Sequence, residues 1–197
     1  MTAQRIARIA MIAAAYAAGT LVAMLFLGWM AWGPVQFRIS EALVVLAFFT
    51  ADAIPGLTLG CVIANLANMV LSGVGTLGLL DVVFGSLATA IGAWFTWHFR
   101  NRPAFALLGP VLANGIIVPA YLPFMLQGLG YYTIPFTSID LDGAYVPMFL
   151  FGLVATSLGE AAVMYFLGYP MYKALAKSPL ATLLSDDESV SHDYEEA

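Results

Sequence analysis

The sequence is poor in charge. Only 10% of its 197 residues are Asp, Glu, Lys or Arg, against about 25% in a soluble domain. A water-soluble globule is excluded on that ground, and a hydrophobic content of 61% with a mean hydropathy of +0.88 agrees. Seven residues are basic and form no patch, so a nucleic-acid surface is excluded too. The lone cysteine, Cys61, lies in an apolar run. It can build neither a disulfide framework nor a zinc cluster, and reads as a small buried apolar residue. Of the two histidines, His98 has no second ligand nearby and reads as interfacial. HExxH, GxSxG, Walker A and aspartate-rich diphosphate motifs are all missing, so nothing supports an enzyme, and no cofactor or metal is expected.

What the sequence does have is apolar length. The net charge of −5 hides its distribution, because six of the twelve acids (Asp186, Asp187, Glu188, Asp193, Glu195, Glu196) crowd the last twelve residues. The remainder carries seven basic and six acidic groups. We read residues 1–178 as one transmembrane domain and 179–197 as an acidic tail expected to be disordered. The fold class is an all-α membrane protein with six transmembrane helices.

The first apolar run, Ile9 to Trp32, follows Arg5 and Arg8. Ala15-Tyr16-Ala17 resembles a signal-peptide cleavage site, but the run continues past it, so an uncleaved first helix is expected. Small residues recur at Ala3, Ala7, Ala10, Ala14 and Ala17, and Ala18 adds a second small-xxx-small pair with Ala14. That flat face can pack within the fold or against a partner.

A second helix is expected from Pro34 to about Asp52, with Arg38 and Glu41 on one face. The uncharged run from Ala42 to Ala51 is about 15 Å of helix, half a bilayer core of about 30 Å. Both charges must therefore lie in or at the edge of the hydrocarbon. Two readings are open: a ligand site, or an ion pair that locks helices. After the turn signal Ala53-Ile54-Pro55-Gly56, the third helix runs to Leu71 with Asn65 and Asn68 one turn apart. Such asparagines usually bond between helices; ligand contact is the alternative. Ser72 to Gly78 is a Gly-rich connection, read as flexible and lid-forming. Asp81 opens the fourth helix, Leu79 to Phe99, as a dipole-favoured capping acid. The fifth, Ala104 to Gln127, contains Asn114-Gly115, Pro119 and Pro123, tolerated where a helix faces protein or a cavity. The sixth, Pro147 to Tyr172, carries Glu160 at its midpoint, the most deeply placed carboxylate. It must be neutral, paired across helices or paired with a ligand.

With the N-terminus inside, six spans put Arg5, Arg8, Arg100, Arg102, Lys173 and Lys177 on the cytoplasmic side. Both termini are then cytoplasmic. Arg38 alone lies on the outer side, as a site loaded from outside would require.

Gly33 to Leu43, Ile54 to Asn65, Asp81 to Thr89 and Ser157 to Ala161 together resemble the QueT family. The resemblance implies a substrate-binding (S) component of an energy-coupling factor (ECF) transporter in a bacterial cytoplasmic membrane. It further implies a 7-deazaguanine queuosine precursor as substrate, and partners in a T component and two ATPases. Ala10, Ala14 and Ala18 then look like the docking face for the T component. A guanine edge offers adjacent N–H donors that a carboxylate accepts. The expected site is Gln36, Phe37, Arg38, Glu41, Asn65, Asn68, Asn114, Tyr121 and Glu160. Within it Glu160 takes the base edge, Arg38 and Glu41 sit near the entrance, and Phe37 and Tyr121 stack. The rival readings are an S component for another vitamin or nucleobase, and a membrane scaffold without transport.

Overall fold

The structure, a computed structural model, describes residues 2–27, 38–128 and 145–185. Every regular element among them is helical. Five helices are long and apolar enough to cross a membrane: α1 (Ala3–Leu27), α2 (Ala53–Leu71), α3 (Gly75–His98), α4 (Leu108–Gly128, preceded by the turn Pro103–Ala106) and α5 (Tyr145–Ala176). A short helix, α6 (Pro179–Leu184), follows. Residues 179–184, grouped in sequence with the acidic tail, therefore fold back onto the bundle, where Arg8 Nη1 donates to the Leu184 carbonyl at 3.1 Å.

The expected second helix differs. It is a 3-10 helix of ten residues, Ile39–Phe48, and Arg38 precedes it with non-helical geometry (φ −82°, ψ 85°). At about 2 Å per residue it rises about 20 Å, too short to span. With three residues per turn its side chains fall into columns. Glu41, Val44 and Ala47 form one and Ala42, Val45 and Phe48 another, all buried; Leu43 and Leu46 lie half-exposed in the third. A helix apolar on nearly every side belongs inside a bundle. This one touches α1, α2, α3 and α5, and Phe48 rests on Tyr172 with ring centroids 4.4 Å apart.

Close approach between helices depends on glycine. A Cβ on Gly60 of α2 would lie 2.7 Å from the Ala13 carbonyl and 2.8 Å from Tyr16 Cβ of α1. One on Gly56 would lie 2.9 Å from Ile12 Cβ. Gly56-xxx-Gly60 is thus a small-residue packing motif. In the Gly-rich connection, Gly73 (φ +69°) and Gly75 (φ +64°) occupy the left-handed region that glycine adopts without penalty.

One end of the bundle gathers charge. Arg5 Nε and Nη2 donate to Asp52 Oδ1 at 2.9 and 2.7 Å, and Arg8 Nη1 reaches Thr50 Oγ1 at 3.0 Å. Tyr165 donates to the Ala104 carbonyl at 2.8 Å, joining the start of the fourth span to the far part of the last. The helices therefore alternate in direction, and Arg5, Arg8, Arg100, Arg102, Lys173 and Lys177 all lie toward this end.

Candidate functional site

Half-way through the bundle lies a buried polar cluster in an otherwise apolar interior. Arg38, Glu41, Asn65, Asn68, Asn114, Tyr121 and Glu160 are all buried, and Glu41 has no exposed surface. Gln36 and Phe37 lie outside the described residues. Contacts through Asp81, Cys61 and one another link Arg38, Glu41, Asn65, Asn114, Tyr121 and Glu160; Asn68 is buried one turn beyond Asn65.

The 3-10 helix sets the first part of the cluster. Its opening turn is closed by Glu41 N donating to the Arg38 carbonyl at 2.8 Å, which holds the two side chains close. Glu41 Oε1 accepts the Tyr16 hydroxyl of α1 and Thr89 Oγ1 of α3, the latter at 2.9 Å. Arg38 Nη2 stands 3.9 Å from Asp81 Oδ1. Tyr121 donates to the same Asp81 oxygen at 2.6 Å. Asn65 Nδ2 donates to the Asp81 carbonyl at 2.7 Å, at the start of a π-helical stretch, Asp81–Gly85. Such stretches recur at functional sites. Gly85 lets the polar side chains come close: a Cβ there would sit 3.2 Å from Asn65 Nδ2 and 3.6 Å from Arg38 Nη1. Glu160 on α5 is an electrostatic neighbour of both Glu41 and Arg38, with Asn114 of α4 beside it.

Asp81 is a correction. It makes no side-chain capping bond; it points inward and fixes Tyr121 and the neighbourhood of Arg38. The Tyr121 ring stacks on Phe84 with centroids 5.8 Å apart, and its hydroxyl serves Asp81. Cys61 is buried as expected, yet beside polar groups: Asn65 Nδ2 lies 3.4 Å from its sulfur. Tyr16 and Thr89, which hold Glu41 Oε1, are hydroxyls that sequence reasoning missed, as are the buried hydroxyls of Ser86 and Thr156. A serine, threonine or tyrosine in a span carries no signal unless the facing helix is known.

The hydrogen-bonding inventory is lopsided. Among the described residues, Glu41 Oε2, Glu160 Oε1, Asn65 Oδ1 and Asn68 Oδ1 are buried acceptors without a partner. Against them stands one such amide donor, Asn114 Nδ2, with the hydroxyls of Ser86 and Thr156 able to act either way. A buried polar group left unmatched costs about 1–3 kcal/mol. Several of these atoms lie in one cluster, with the donors of Arg38 and Asn114 beside them. Among the described residues no three His, Cys, Asp or Glu groups could hold a metal ion.

A separate cavity of about 450 Å³ adjoins the cluster across Tyr121, lined by Leu80, Phe84, Ile116, Ile117, Ala120, Tyr121 and Phe124. Its rim residues Ile116 and Phe124 are exposed, so it opens on the apolar, lipid-facing side. Among the described residues of the cluster, no side chain is set up as a nucleophile with its base.

The family described as QueT transporter matches residues 6–177. A curated relative, the queuosine precursor transporter QueT of Lactococcus lactis subsp. cremoris (strain MG1363), is 35% identical over 104 residues. That alignment covers 51% of this chain and 60% of the relative's length. No solved structure matches.

Proposed function

The chain belongs to the QueT transporter family, and from that premise we propose that it is the substrate-binding membrane subunit of an ECF-type importer for a 7-deazaguanine queuosine precursor. One observation carries the reading: among the described residues, Glu41 Oε2, Glu160 Oε1 and Asn65 Oδ1 are buried acceptors without a partner, and they lie around Arg38, which accompanies three carboxyl groups. A deazaguanine presents adjacent N–H donors on one edge, and two acceptors on separate helices suit that edge. Glu160 and Glu41 take these donors, and Asn65 and Asn68 take further N–H groups. The Asn114 amide and Arg38 serve the ring carbonyl. Gln36 and Phe37, next to Arg38 in sequence, complete the proposed binding set.

The orientation follows from charge. Six basic residues lie toward one end of the bundle, which the positive-inside rule assigns to the cytoplasm of a bacterial cell. The site then faces outward. ATP is hydrolysed by two partner ATPases, and a T component docks on Ala10, Ala14 and Ala18, which α1 leaves exposed.

The test is ligand-induced stabilisation of the purified chain in lipid nanodiscs, because a ligand bound only by the folded state raises the melting temperature. 7-Aminomethyl-7-deazaguanine is expected to stabilise the wild type. Glu41→Gln and Glu160→Gln should each weaken it about a hundredfold, the loss of one or two charge-assisted hydrogen bonds. Wild-type affinity in a Glu41→Ala, Glu160→Ala double variant would leave the carboxylates structural and overturn the reading.

A further inference from the structure

Tyr16 touches two systems at once. Its ring is on the buried side of α1, and its hydroxyl donates to Glu41 Oε1. On the other side of the same helix, Ala10, Ala14 and Ala18 are exposed. One turn on, Thr20 Oγ1 and Ser40 Oγ stand 2.6 Å apart, so α1 grips the first turn of the 3-10 helix at two places. Gly60 lies against Tyr16 Cβ and the Ala13 carbonyl, which leaves no slack for α1 to move without α2.

We infer that Tyr16 is a positioning residue that couples the state of Glu41 in the binding chamber to the setting of α1 and its exposed alanine face. This rests on the substrate reading above. The Tyr16 and Thr89 hydroxyls both engage Oε1, which directs Oε2, the oxygen without a partner among the described residues, toward the ligand. When a ligand N–H engages Oε2, the carboxylate is held from both ends. Thr89 passes this restraint to α3, whereas Tyr16 passes it to α1. A chain of packed side chains with a hydrogen bond at its head is a physical route for such coupling.

The experiment uses the full chain in nanodiscs with an environment-sensitive fluorophore on Ala14→Cys; native Cys61 is buried and stays unlabelled. The probe is 7-aminomethyl-7-deazaguanine. In the otherwise unchanged protein the probe is expected to shift the label emission. Tyr16→Phe keeps the ring and loses the bond. It should weaken the probe about tenfold or more and abolish most of the label response at saturation. Thr89→Val strips the other hydroxyl from the same oxygen. It should weaken the probe comparably yet keep the response, because Thr89 is not on α1. Wild-type affinity and response in Tyr16→Phe, or loss of response in both variants, overturns the inference. If the wild type binds no probe, the substrate reading fails, and the ligand-free label decides on Tyr16 alone. Glu41→Gln and Tyr16→Phe should then shift the emission non-additively, and additive shifts overturn the coupling.

Discussion

Asp81 shows how one residue can look conventional in sequence and not in space. A carboxylate two residues into a helix is where a dipole-favoured acid belongs, and nothing in the sequence says which way it turns. In the fold it turns inward, accepts the Tyr121 hydroxyl at 2.6 Å and faces Arg38 at 3.9 Å. Replacing it with Asn keeps the shape and removes the charge that steadies the guanidinium. Asp81→Asn is therefore expected to weaken binding of 7-aminomethyl-7-deazaguanine about tenfold, measured by titration calorimetry, with the apo protein still unfolding cooperatively. Unchanged affinity would assign Asp81 to helix packing alone. Arg38, Glu41 and Glu160 were legible beforehand because charge within an apolar run is expensive and rare. Tyr16 was not, because its partner depends on which element it faces; nor were Thr89, Ser86 and Thr156, because a serine or threonine hydroxyl in a helix can bond its own backbone. Thr96 does so, donating to the Gly92 carbonyl at 3.0 Å.

At the scale of elements, the long apolar helices could be read from hydropathy alone, since each needs only about twenty apolar residues. The 3-10 helix could not. Ile39–Phe48 has the composition of any buried α-helix. What distinguishes it is a three-residue column pattern whose meaning appears only once four helices surround it. The Gly56-xxx-Gly60 motif was present in the sequence but could not be told from the turn it adjoins. Its weight can be measured. A side chain on Gly60 would run into the Ala13 carbonyl, a backbone atom that cannot rotate away. Gly60→Leu is expected to lower stability by about 3 kcal/mol, the upper range for overpacking, seen as a lower melting temperature. Gly73→Ala, where a Cβ meets nothing within 4 Å but φ is +69°, should cost only about 1 kcal/mol from backbone strain.

Across the whole molecule, charge and smoothness are sorted to different places. Asp52 is buried and held by Arg5 and Arg8 at the end where the other exposed cations lie. The buried polar cluster occupies the middle. On α1, Ala10, Ala14 and Ala18 are exposed, while Ile12, Ala13, Tyr16, Ala17 and Thr20 face the core. In lipid there is no hydrophobic gain from covering apolar surface, so a small-residue face is useful mainly for letting another helix approach closely. Leucine at Ala14 fills that approach without touching the core. Ala14→Leu should therefore leave the melting temperature and probe affinity of the isolated chain within error, since exposed substitutions away from special features shift stability by no more than about 0.5 kcal/mol. In cells that depend on precursor uptake, the same change should reduce accumulation of the labelled probe by about tenfold or more, the effect of about 1.4 kcal/mol lost from helix docking. Normal uptake with normal binding would mean that the partner approaches another face. Lost binding in the isolated chain would mean that α1 supports the site directly, through Tyr16, rather than through the helix it presents to the membrane.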